Sequence, residues 1–371
     1  MKQLIIVLYF VFLFLLTVFS YAFVDPNLFY LKILYSGFSF SHRLLATSFY
    51  TLFVIVFFIF YGIFTWWAIK KKINIKKIFI LLIISCGILL FSYPAMLSYD
   101  IFNYIATSKV LFFYKENPYI IMPVEFIGDP LSLYTHAANK IALYGPFWVL
   151  LTGVPHFLGF GNFVLTLLSF KLLIIFFYLA TLFVFWKISR NVMATSLFAF
   201  NPLVIVETLI SGHNDIIMMF FAILSFFLLL KKKIFFAILS LILSIFIKYA
   251  TILLTPVFLY ALWKTIRAKE INWRNIFYFS SLLMFAGFLL SPIREEIYPW
   301  YSIWFLSFAF LLINNKFLVT ISIVFSFSLL LRYIPYMLTG TYAGLTPVLK
   351  EIISFSPPIL YCIYYVFKKK I

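Results

Sequence analysis

The stretch YGPFWVLLTGVPHFLGF, residues 144–160, decides how this chain is threaded. It is apolar but short, and Pro146 and Pro155 interrupt it. A helix needs about 20 apolar residues to cross a bilayer, and proline breaks helices by removing a backbone donor. If this segment crossed, Lys187 and Arg190 would fall outside and every later basic cluster would change side. The positive-inside rule opposes that arrangement. The segment is therefore expected as a re-entrant or surface-lying helix on the outer side, since irregular backbone at membrane depth is tolerated where it is buried in protein or lines a cavity.

The rest of the chain supports a membrane setting. Its 371 residues are 65% hydrophobic and 23% aromatic, more apolar surface than a soluble globule can hide. The apolar runs approach twenty residues and do not alternate as barrel strands would. The expected fold is an all-α polytopic helical bundle forming a single domain. Basic clusters at Lys70–Lys77, Lys187 with Arg190, Lys231–Lys233, Lys264–Arg274, Lys316 and Lys368–Lys370, with Lys2, mark cytoplasmic loops. Twelve spans follow, at about 4–24, 44–69, 78–97, 163–187, 192–210, 214–230, 234–248, 250–264, 275–291, 299–313, 316–335 and 350–367, with both termini inside. The first run lacks a convincing small-residue cleavage site and is expected as a retained helix rather than a signal peptide. Cys86 and Cys362 both fall in spans and imply no disulfide framework.

Nineteen of the 29 Lys and Arg residues lie on the side assigned as cytoplasmic, but only Glu270 of the eleven acids does. The net charge of +18 therefore sits on one face. An anionic leaflet of the cell membrane accounts for it, with no nucleic-acid partner. The acids sit mostly on the other side, where the longest extramembrane stretch, 98–162, also lies. Asp100 opens a segment with apolar residues at helical spacing, expected as an amphipathic interfacial helix. A helix-dipole charge and a reactive carboxylate both fit that position. Asn117-Pro118-Tyr119 then ends the helix. Ser211-Gly212-His213-Asn214-Asp215 reads as a tight turn or as a polar site, with Glu207 one to two turns earlier in an apolar span, where ionisable groups are costly. Lys171 and Lys248 are basic residues inside spans; they either snorkel or face an anionic ligand such as phosphate. Arg294 binds phosphate or pairs with Glu295 or Glu296. Trp300 and Tyr301 suit interface anchoring or stacking against a sugar. His136 and His156 lack partners at metal-ligand spacing.

In order along the chain, Ser98-Tyr99-Asp100, Asn117-Pro118-Tyr119, Tyr144-Gly145-Pro146, Asn201-Pro202-Leu203 with Glu207, Gly212-His213-Asn214-Asp215, Lys248 with Pro256, and Pro299-Trp300-Tyr301 form a series. It resembles the C-type glycosyltransferases, in particular the α-mannosyltransferases that use polyprenyl-phosphate mannose and the enzyme adding the first mannose to GPI anchors. The similarity runs from about Tyr93 to Tyr301. It implies a catalytic core over 78–301, with N-terminal accessory helices over 1–77 and C-terminal helices over 302–371. It also implies a lipid-linked monophosphate donor and a large outer first loop carrying the general base, which maps to Asp100. The GPI relatives carry a paired D-x-D where this chain has Ser98-Tyr99-Asp100, so no cofactor is implied and a divalent metal has no paired-carboxylate support.

On this reading, Asp100 accepts a proton from an acceptor hydroxyl as it attacks the anomeric carbon of a hexose, mannose by resemblance. Lys248, Lys171 and Arg294 are candidates to hold the donor phosphate. Asn117, Tyr119, Tyr144, Glu207, His213, Asn214, Asp215, Trp300 and Tyr301 are candidates for the sugar and acceptor. The partners are the bilayer, the polyprenyl-phosphate donor and a glycan or lipid acceptor. One displacement inverts the anomeric centre. The alternative is a transporter or flippase of a lipid-linked sugar, but the chain shows no internal repeat of the kind such proteins carry.

Overall fold

In a computed structural model, residues 2–26, 28–133, 135–293 and 296–370 are described, and every regular element among them is helical. Among the described residues, six helices are long and apolar enough to cross a membrane: Lys2–Phe23, Arg43–Ile69, Phe163–Ser189, Tyr249–Ile266, Trp273–Ile293 and Lys316–Thr339. Val192–Ala199 and Pro202–Ile210 make a seventh if the pair, bent by 53°, is one span. The chain is a membrane-embedded helical protein. The expected twelve full crossings are not reached on length and composition. The reason is that several expected spans are shorter or broken. The Asp215–Leu230 and Ile234–Ile247 helices have 16 and 14 residues, about 24 and 21 Å against a hydrocarbon core of about 30 Å.

Asparagine starts many of these helices. Asn74, Asn162, Asn191, Asn201, Asn272 and Asn315 each accept a hydrogen bond from a backbone N–H in the first turn. This satisfies donors that the helix itself leaves open, and for the buried Asn201 it does so out of reach of water. Tyrosine hydroxyls then join helices through carbonyls. Tyr50 donates to Leu330 O at 2.8 Å and Tyr61 to Leu197 O at 3.0 Å, fastening the Arg43–Ile69 helix on two sides. Large apolar side chains such as Leu44, Leu52 and Ile59 point outward from that same helix, as a lipid-facing stripe requires.

The YGP segment forms two short helices, Pro146–Leu151 and Gly153–Leu158. Together they are about 20 Å long, short of a hydrocarbon core of about 30 Å. Gly145 lies against the last turn of the Ile234–Ile247 helix, and its N–H donates to Ile247 O at 3.0 Å. A Cβ here would collide with the Phe246 carbonyl oxygen, so only glycine allows this approach.

Lys171 is buried in the Phe163–Ser189 helix. Its ammonium donates to Leu89 O and Ser92 O at 2.7 Å each, and to Ser92 Oγ at 2.8 Å. It thereby caps the carbonyl end of the Ile75–Leu89 helix. All three of its donors are engaged within the fold. Lys171→Met leaves those acceptors without a donor and should destabilise the protein by about 2 kcal/mol or more. A lowered melting temperature in detergent, with an unchanged donor KM in the folded fraction, is the expected result. A raised KM at unchanged melting temperature would instead make Lys171 a ligand.

Candidate functional site

A cavity of about 550 Å³ gathers segments from several helix breaks. Its wall includes Asp100 and Asn103 from the Asp100–Phe112 helix, Tyr144 from the YGP turn, Lys248 from a helix break, and Trp300, Tyr301 and Trp304 around the Pro299–Tyr301 turn. Glu296, Arg332, Tyr333 and Lys350 complete it. The Asp100–Phe112 helix differs from the expected interfacial helix. It is buried on most faces, including Asn103, Thr107 and Ser108, because the loop that follows folds over it. Asn103 ties the two together: its Oδ1 accepts from Ala137 N at 3.3 Å while its Nδ2 donates to Asp100 Oδ1 at 3.4 Å.

About a quarter of the Asp100 side chain is exposed, 25%, and the residue lines the cavity. Behind it stands His213. Its Nδ1 is 3.4 Å from Asp100 Oδ2 and its Nε2 is 3.3 Å from Glu207 Oε2. These are ion-pair contacts rather than aligned hydrogen bonds, since neither ring nitrogen meets hydrogen-bond geometry. Glu207 Oε1 accepts from the Tyr333 hydroxyl at 2.9 Å. The result is a buried row: Asp100, His213, Glu207, Tyr333. Burial by itself would lower the His213 pKa, but the two flanking carboxylates outweigh it and raise it to about 9. For Asp100, burial pushes the carboxyl up, while His213, Lys248 and Asn103 together hold it below its ordinary value.

Local backbone explains how the row forms. Asn201 caps the helix begun by Pro202, its Oδ1 accepting from Leu203 N at 3.0 Å and Val204 N at 3.3 Å. The chain then makes a π turn over Val206–Ile210, with Ser211 N bonded to Val206 O at 2.9 Å. Such turns shift the register of side chains and recur at functional sites. Gly212 follows at φ +77, in the left-handed region where a Cβ is strained. The reversal delivers His213 between the two acids.

Asp215 opens the next helix and is fully buried. It accepts from Lys248 Nζ at 3.0 and 3.1 Å and from the Trp304 indole. Lys248 sits in extended backbone where the Ile234–Ile247 helix ends. Its ammonium lies 4.3 Å from the Tyr301 ring centroid. Trp300 stacks on His213 at 3.9 Å and on Tyr298 at 4.5 Å.

Of the residues expected from sequence, Asp100, Tyr144, Lys248, Trp300 and Tyr301 line the cavity, while Glu207, His213 and Asp215 lie directly behind it. Asn214 is buried and exchanges hydrogen bonds with the Tyr104 hydroxyl at 3.3 Å. Asn117 is exposed and accepts from Tyr119 N at 3.0 Å, closing a turn. The Tyr119 hydroxyl donates to Tyr144 O at 2.8 Å, so it supports the wall without forming it. Lys171 is elsewhere, in the helix cap described above, and Arg294 lies outside the described residues. Sequence reasoning missed Glu296, Arg332, Tyr333 and Lys350 as site residues. One signal was available: Arg332 is the only charged residue in 317–349. Among the described residues no group of three His, Cys, Asp or Glu side chains is placed to hold a metal ion.

Residues 19–264 match the alpha-(1->6)-mannopyranosyltransferase family, over its N-terminal domain. The chain belongs to this family. Mannosyltransferase membership bears out the resemblance read from the ordered motifs, and makes the chain a membrane glycosyltransferase of the hexosyltransferase class. No curated protein and no solved structure shows significant similarity to it. The match ends before Glu296, Trp300, Arg332 and Lys350, so part of the cavity wall comes from sequence beyond the matched domain.

Because folding raises the His213 pKa from 6.5 to about 9, the folded protein holds this proton more tightly than the unfolded chain. The associated stability is fully present below pH 6.5 and is lost as pH rises through about 9. The melting temperature in detergent should fall across that window for the wild type. His213→Asn should start lower and be flatter. Equal slopes would remove His213 from the titration.

Proposed function

We propose that this protein is a C-type mannosyltransferase. It moves a mannosyl residue from a polyprenyl-phosphate donor to a glycan or lipid acceptor at the outer face of the plasma membrane. Both termini are then cytoplasmic, the shorter helices complete a bundle of twelve crossings, and the product joins a cell-envelope glycan. The observation that carries this reading is the Asp100 carboxylate opening on the cavity with the buried His213 imidazole behind it. A general base must be ionised and must reach the acceptor hydroxyl. His213 holds its proton up to about pH 9, so at neutral pH Asp100 is the group free to accept one.

The chemistry is a single displacement. The acceptor oxygen bonds to the anomeric carbon as the bond from that carbon to the phosphate oxygen breaks. The hydroxyl proton goes to Asp100, and the electron pair leaves with the polyprenyl phosphate. With its pKa held low, Asp100 is a weak base. It takes the proton late, once bond formation to an oxocarbenium-like carbon has made the hydroxyl acidic. The His213 charge balances the carboxylate before transfer, and Glu207 balances His213 afterwards. Tyr144 and the ring edges of Trp300 and Tyr301 line the cavity as an aromatic wall for the sugar, and Lys248 adds positive potential beside the base. A β-linked donor gives an α-linked product.

Transfer of radiolabelled mannose from polyprenyl-phosphate mannose by the purified protein tests this reading. Asp100→Asn keeps the shape but loses the base, and should reduce kcat by about 10²-fold or more when measured on the folded fraction. Near-wild-type transfer by that variant would remove Asp100 from the mechanism. Movement of intact donor across the bilayer without transfer would favour a transporter instead.

A further inference from the structure

A second cavity lies apart from Asp100, in the hairpin made by the Thr255–Ile266 and Trp273–Leu290 helices. At the open end of the hairpin the chains touch, and a Cβ at Gly287 would meet Leu253 Cδ1. Towards the 267–272 turn they part and leave a slot of about 350 Å³. Small ligands bind in spaces of about 300–1,000 Å³. The polarity of the slot is graded. Pro256, Val257, Ile276 and Phe279 wall its deeper part, while Lys264, Asn272 and Asn275 gather at the end next to the turn.

The turn end is strongly basic. Residues 264–274 hold Lys264, Arg267, Lys269 and Arg274 against Glu270 alone, and among the described residues no carboxylate lines the slot. Lys264 Nζ donates to the Glu270 carbonyl at 3.0 Å and lies 5.4 Å from the Tyr260 ring centroid, which keeps the ammonium at the mouth. An ammonium has three donors, so this bond leaves it able to hold a second acceptor. The rings of Tyr260 and Trp263 are exposed at the same level, and Lys269 Nζ lies 4.6 Å from the Trp263 centroid. Exposed Tyr and Trp beside basic residues mark the lipid headgroup layer. The slot also faces lipid rather than protein. Its first wall belongs to the Tyr249–Ile266 span, the least buried of the six, at 22% against 33–44%.

An apolar slot between helices, with a cationic mouth at headgroup level, has the polarity of one upright amphiphile. From this geometry we infer that the slot is a binding site for a single anionic phospholipid. One acyl chain fills the space between Val257 and Phe279, and the phosphate meets Lys264. Charge selects the headgroup. An anionic lipid offsets the four cations around the single acid, whereas a choline headgroup would bring a further cation into that set. The site is independent of the reaction proposed above. Its occupant stays whole, and no bond in it forms or breaks.

Delipidated full-length protein in detergent tests this by native mass spectrometry and by melting temperature. The probes are phosphatidylglycerol, phosphatidylcholine with the same acyl chains, and glycerol phosphate. The wild type should retain one phosphatidylglycerol in preference to phosphatidylcholine, and that lipid should raise the melting temperature. Lys264→Gln should weaken its retention about fivefold. Lys187→Gln, which removes a charge from another basic loop, should leave retention unchanged. Val257→Trp fills the slot without altering charge and should abolish it. If Val257→Trp does not fold, Asn275→Asp still reports. A negative charge in the first turn of the Trp273–Leu290 helix favours the helix but repels the headgroup, so the lipid-free protein should melt no lower while phosphatidylglycerol binding falls. Equal retention of phosphatidylcholine overturns the anionic headgroup. Equal stabilisation by glycerol phosphate reduces the site to a phosphate contact and overturns the lipid. An equal loss in Lys187→Gln makes the attraction a general surface effect. Unchanged retention in folded Val257→Trp or in Asn275→Asp removes the lipid from the slot.

Discussion

A histidine held between two carboxylates, buried and protonated, is the contact on which this site is built. Ions at membrane depth persist only when their charges are matched nearby. His213 matches Asp100 on one side and Glu207 on the other, and Tyr333 satisfies the far oxygen of Glu207. Remove the imidazolium and Asp100 and Glu207 lose the charge between them. The π turn at Val206–Ile210, the left-handed Gly212 and the stacked Trp300 are all arranged around that ring. Each would be an oddity alone. Together they place one charge between two others.

Breaks in helices, rather than the helices themselves, carry the working groups. Asp100 follows the irregular 90–99 stretch, His213 sits in a reversal, and Lys248 occupies extended backbone between helical segments. Trp300 lies in the short Pro299–Tyr301 turn. Long spans give a rigid frame, and their interruptions turn side chains into one cavity. The same interruptions explain why twelve apolar runs do not become twelve full-length spans.

Much of this was legible from sequence for a physical reason. Apolar run length and basic loops are one-dimensional signals, so the membrane setting and the shortness of the YGP segment could be read directly. Short motifs such as Ser98-Tyr99-Asp100 and Gly212-His213-Asn214-Asp215 sit at helix breaks, where turn chemistry shows in the residues. Pairing was not legible. Nothing in the sequence says that Lys171 meets the carbonyls of Leu89 and Ser92, or that Lys248 meets Asp215 rather than solvent. Arg332, Glu296 and Lys350 come from three segments and converge only in space. Burial of Asn103, Thr107 and Ser108 was likewise hidden, because the covering loop lies beyond the reach of helical periodicity.

The contact between Gly145 and the end of the Ile234–Ile247 helix has a mechanical consequence. Gly145 donates to Ile247, and Lys248 is the next residue. The YGP turn and the lysine that grips Asp215 are thus fastened at one point. A side chain at position 145 would push the turn off the Phe246 carbonyl and strain Lys248 as well, with its hold on Asp215 and its cover over Tyr301. One glycine therefore sets the spacing of two walls of the cavity.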